Sequence, residues 1–98
     1  MIDREALTAA LASGNFVAIT YAKKSGEKTT RIAAPWSKLP ESDAPKGARP
    51  VKEGNFAYYE VGAKNRFDES APGDWKSFIL DNGETFAIVP EPETWTGK

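Results

Sequence analysis

The segment FVAITYA, residues 16–22, constrains the fold more than any other stretch of the chain. Its β-branched and aromatic side chains suit a pleated surface, and alternation sends Val17, Ile19 and Tyr21 to one face and Phe16, Ala18 and Thr20 to the other. KKSGEK and then TTRIAAPW, residues 29–36, follow at once, so the two runs predict an antiparallel hairpin. Gly26 supplies the positive φ that its tight turn demands. On the return strand Thr30, Ile32 and Ala34 alternate with Arg31 and Ala33.

Three further runs read the same way. NFAYYEVG predicts a strand over 56–61, and ETFAIVP one over 84–89. Between them lies DWKSFILDN, residues 74–82, in which Trp75, Ser77 and Ile79 alternate with Lys76, Phe78 and Leu80. Phe78 and Leu80 are expected in the core, and the following DNGE predicts a hairpin joining this strand to the last. Ile2, Ala6, Leu7, Ala10 and Leu11 recur at helical spacing behind Asp3, a capping residue, and Gly14 ends that pattern, so residues 1–14 predict a short helix. Residues 37–54, SKLPESDAPKGARPVKEG, hold three prolines and two glycines and predict a long loop, the expected place for a partner-binding arm. The tail, 90–98, has no periodicity, and Pro90 and Pro92 halt strand pairing. The expectation is an α+β, mainly β domain. One helix and about five short antiparallel strands would bend into a small β-barrel that hides its edges.

The 98 residues suffice for a single domain over 1–98. With no cysteine and no histidine, disulfides, thiol nucleophiles, zinc-finger ligand sets and the usual neutral-pH proton shuttle are excluded. The carboxylates Asp68, Glu69, Asp74 and Asp81 match no calcium-loop spacing, and GEKTT lacks the earlier glycine of a phosphate loop. The expectation is a non-enzymatic binding protein without cofactor or metal. The first residues show no basic start and apolar core of a leader, and no run approaches the ~18 apolar residues of a membrane span, so a soluble, cytoplasmic protein is expected.

The order of these pieces resembles the WYL-like families of bacteria and their phages, and most closely the small phage-encoded branch with an Sm-like, SH3-type barrel. Lys23, Lys24, Gly26, Arg31, Trp75, Lys76, Ser77 and Phe78 stand where that branch has its lysine pair, hairpin glycine, strand arginine and Trp-basic-Ser-Phe segment. Ile79 occupies a place where the larger group commonly carries a second arginine. The resemblance implies an SH3/Sm-like barrel over residues 16–89 and, by analogy with the larger group, recognition of nucleic acid or a nucleotide-like ligand by a basic and aromatic face; a phage source would put it in the bacterial host cytoplasm.

Charge agrees with a binding role. Residues 20–52 hold eight Lys or Arg against three acids, whereas residues 53–98 hold four against nine. Lys23, Lys24, Lys28 and Arg31 surround the hairpin and Lys76 lies on the late strand, so these cations are candidates for phosphate, with Tyr21 and Trp75 as candidates for base stacking. Lys76 shares parity with Phe78, and it joins the hairpin cations only if it emerges at the barrel rim. The alternative is a protein-interaction module that binds and modulates a host enzyme, transcription or defence protein through the acidic half, Asp68, Glu69, Asp74, Asp81 and Glu84. A free strand edge would also permit a homo-oligomer.

Overall fold

A computed structural model of the chain describes residues 2–39, 54–65 and 69–95. The elements run α1 (Arg4–Ala12), β1 (Phe16–Ala22), β2 (Lys28–Ala34), a 3₁₀ turn at Trp36–Lys38, β3 (Asn55–Val61), β4 (Gly73–Ile79), a 3₁₀ turn at Leu80–Asn82, and β5 (Gly83–Val89). The mainly β, α+β class expected from the sequence is the class observed. The five strands form one antiparallel sheet in the order β4-β3-β2-β1-β5.

Each element forms for a local reason. Asp3 caps α1 by accepting a hydrogen bond from the Glu5 amide at 3.1 Å. Ile2 before the cap and Leu7 one turn inside are both buried in the same cluster, as in a hydrophobic staple. A nine-residue helix is marginal alone, so its Leu7 and Leu11 stripe must be covered by the sheet. In the β1–β2 turn the Gly26 amide donates to the Lys23 carbonyl at 2.8 Å, with Gly26 at φ 88°.

The sheet curls. Tyr21 of β1 stacks on Phe78 of β4, ring centroids 4.9 Å apart and planes 15° from parallel, although β2 and β3 lie between those strands in the ladder. Three strand spacings in a flat sheet would put β1 and β4 roughly 14 Å apart. The bend falls where β2 meets β3, a ladder of only two pairs, Ala33 with Glu60 and Ala34 with Tyr59. On the concave face Val17, Ile19, Ala33, Phe56, Tyr58 and Phe78 join Leu7 and Leu11 in one core, with Leu80 and Phe86 packed against it.

The convex face has its own core. Phe16, Ala34, Leu39, Tyr59 and Trp95 are buried there, with Trp36 and Trp75 against them. Trp95 comes from the tail, which pairs with no strand among the described residues; its ring meets Phe16 edge-on at 5.3 Å, and the exposed pair Lys38–Glu91, 2.7 Å, ties the tail to the Trp36–Lys38 turn.

The DNGE hairpin is corrected. β4 and β5 lie at the two ends of the ladder and are joined by the Leu80–Asn82 turn, so among the described residues they do not pair and the ladder has no closing hydrogen bonds between its ends. Gly83 has φ −69°, an ordinary extended value and not the positive φ of a tight hairpin. It pairs with Tyr21, and a Cβ there would meet the Ile2 side chain at 2.8 Å, so the glycine serves close packing. Of the expected loop over 37–54, Ser37 and Lys38 are in the 3₁₀ turn and Leu39 is buried; residues 40–53 lie outside the described residues.

Gly73 is the tightest point of the sheet. A Cβ there would overlap the Glu60 carbonyl, while its own carbonyl accepts hydrogen bonds from the Tyr59 hydroxyl at 2.8 Å and the Asn65 amide at 2.9 Å. Gly73→Ala is expected to lose about 3 kcal/mol or more, because the clash is with backbone. Gly26→Ala meets open space and should lose only the cost of positive φ, about 1–2 kcal/mol. Urea melts of the two variants check this; equal losses would contradict the overlap at Gly73.

Candidate nucleic-acid interface

Because Tyr21 reaches Phe78, the β1–β2 turn is brought over the end of β4, and a cleft of about 400 Å³ opens between them. Tyr21, Ala22, Lys23 and Lys24 line one side, and Asn55, Ser77, Phe78, Ile79 and Asn82 the other. Three backbone contacts fix these walls: the Lys23 amide donates to the Glu27 carbonyl at 2.8 Å, the Leu80 amide donates to the Gly54 carbonyl at 2.8 Å, and Gly83 pairs with Tyr21. Among the described residues no carboxylate lines the cleft, and neither Lys23 nor Lys24 has an ion-pair partner. Two exposed lysines thus border a cleft whose other lining residues are apolar or carry neutral amide and hydroxyl groups.

The other residues expected at the site are distributed elsewhere. Lys28 is paired with Glu84 at 3.0 Å. Arg31 Nε lies 3.7 Å from Glu60 Oε1, so its charge is offset within the fold. Lys76 pairs across the ladder with Tyr58, is exposed despite its parity with Phe78, and does not line the cleft. Trp75 is on the convex face, edge-on to Tyr59 at 5.7 Å, and lies in the second core. Tyr21 does line the cleft, but Phe78 occupies one face of its ring, which leaves at most the other for a ligand. Of the seven candidates, the fold brings together Tyr21, Lys23 and Lys24.

Pattern reading missed Asn55 and Asn82, the first at a loop exit and the second inside DNGE, where asparagine is expected for turn geometry alone. It also missed Arg4, whose guanidinium donates to the Asn55 carbonyl at 3.0 Å and brings a helix cation beside the β3 entry. Among the acids, Asp74 is buried with the Trp75 amide donating to it at 2.8 Å, and Asp81 and Glu84 border a second hollow of about 420 Å³. Asp68 lies outside the described residues. No family model, curated protein or solved structure matches the chain.

Below Tyr21 a polar chain supports the stack: the Tyr58 hydroxyl donates to Glu60 Oε1 at 2.9 Å and lies 3.5 Å from the Tyr21 hydroxyl. Burial, then the hydrogen bond with Tyr21 and the negative charge of Glu60, push the Tyr58 hydroxyl far above its ordinary value of 10.0. The folded chain therefore keeps a proton that the unfolded chain releases, so this contribution is complete below about pH 10 and is lost as pH rises beyond it. Stability of the wild type should fall above pH 10 more steeply than that of Tyr58→Phe, by up to about 1.4 kcal/mol per pH unit. Urea midpoints on either side of pH 10 test this; parallel declines would contradict it.

Proposed function

We propose that the chain binds single-stranded nucleic acid in the cleft between the β1–β2 turn and β4. The carrying observation is that, among the described residues, two lysines without ion-pair partners and no carboxylate line it. Lys23 and Lys24 take neighbouring phosphates, displacing counterions, while the exposed Ile79 and the half-buried Tyr21 offer apolar surface to a base. A volume of about 400 Å³ is at the small end of ligand sites, roughly 300–1,000 Å³, which suits one nucleotide of a flexible strand better than a duplex. The resemblance to WYL-like families points the same way, toward a nucleic-acid or nucleotide-like ligand.

The test is a titration of labelled single-stranded and duplex oligonucleotides at several salt concentrations. Two phosphate contacts on a single strand predict a slope of log affinity against log salt of about −1.4. Lys23→Glu/Lys24→Glu should abolish binding, and single strands should bind more tightly than duplex. Undetectable wild-type binding at low salt, or equal binding by the double variant, would contradict the reading.

One observation favours a protein partner instead. Ile88 is 61% exposed on β5, an edge strand with one side unpaired among the described residues, and Asp81 and Glu84 lie near that strand's start. A tagged pull-down from bacterial lysate decides between the two: a stoichiometric protein that survives nuclease treatment supports the interaction module, and loss of all captured material with nuclease supports the nucleic-acid reading.

A further inference from the structure

We infer that Asn55 and Asn82 read the hydrogen-bonding edge of one unpaired base seated in the cleft, an assignment that rests on the nucleic-acid reading above. Both side chains are half-buried, both line the cleft, and neither carboxamide makes a hydrogen bond within the described residues. Asn55 engages Arg4 only through its backbone carbonyl. Half-buried amides that the protein leaves unpaired face water in the open cleft and are available to a ligand that displaces it.

Their positions are set by the fold. Asn55 pairs with Ile79 at the end of β4, and the Leu80 amide donates to the Gly54 carbonyl at 2.8 Å, so the β3 entry and the Leu80–Asn82 turn are locked side by side. Asn82 immediately precedes Gly83, whose pairing with Tyr21 holds the turn against the floor of the cleft. A carboxamide presents a donor and an acceptor next to each other, which complements the adjacent amino donor and ring-nitrogen acceptor of adenine. Lysine ammonium groups carry no such pattern and serve the phosphates. The two asparagines therefore account for selectivity and the two lysines for salt-dependent affinity.

The experiment compares a short oligo-deoxyadenosine with an all-abasic strand of the same length, which keeps every phosphate and removes every base edge. Wild type should prefer the adenosine strand. Asn55→Ala/Asn82→Ala should reduce that preference roughly 5- to 150-fold while leaving the salt slope and the affinity for the abasic strand unchanged. Asn55→Asp/Asn82→Asp keeps the side-chain shape and removes the amide donors; it should lose the preference too, which guards against a cavity effect in the alanine variant. A full preference retained by both variants, or no wild-type preference for adenosine over the abasic strand, would overturn the assignment while leaving the lysine site standing. Failure of wild type to bind either strand would instead overturn the nucleic-acid reading and this inference with it.

Discussion

The stack of Tyr21 on Phe78 joins strands that have two others between them in the ladder, and the remaining architecture follows from it. A sheet with the order β4-β3-β2-β1-β5 can bring those rings to 4.9 Å only by folding over at the two-pair junction of β2 and β3. That fold encloses Val17, Ile19, Phe56 and Phe78, gives α1 a surface for Leu7 and Leu11, and carries the β1–β2 turn to β4. The cleft is the outer margin of the same contact. The placement of Lys23 and Lys24 at the cleft and the burial of Tyr58 are thus linked through one aromatic pair.

The second core explains why the aromatic content is not a measure of ligand-binding surface. Phe16, Tyr59 and all three tryptophans are gathered on the convex face, where Trp95 from the tail closes the cluster. Aromatic rings meeting edge-on at 5–6 Å stabilise such a cluster beyond the apolar area they bury. For a chain of 98 residues, two thin cores on either side of one sheet are a way to bury large side chains without a thick interior.

Period-two alternation made much of this legible. It sorts Val17, Ile19 and Tyr21 from Phe16, and Phe78 from Trp75, onto the faces where they are found, because one register slip would exchange every side chain. Local reading failed where long-range contacts override local preference. DNGE has the composition of a hairpin turn, yet Gly83 is held extended between Ile2 and the β1 ladder. A proline-flanked tail suggests no structure, yet Trp95 finds a slot built by residues far away in sequence. The same limit applies to the site. Turn lysines are visible as a basic cluster, but their partners across the cleft, Asn55 and Asn82, become neighbours only through the Leu80–Gly54 hydrogen bond and the pairing of Gly83 with Tyr21. Lys28 and Arg31 are equivalent to Lys23 and Lys24 as hairpin cations in sequence, but the fold sets Glu84 and Glu60, distant in sequence, beside them.

The central claim is that ligand binding is confined to the cleft at the end of the concave face. Amide and indole chemical shifts, followed as a short single-stranded oligonucleotide is added, test it most directly. The account predicts the largest shifts at Ala22, Lys23, Lys24, Asn55, Ser77 and Asn82, with the indole signals of Trp36, Trp75 and Trp95 stationary. Largest shifts at those three indoles, or along β5, would contradict it.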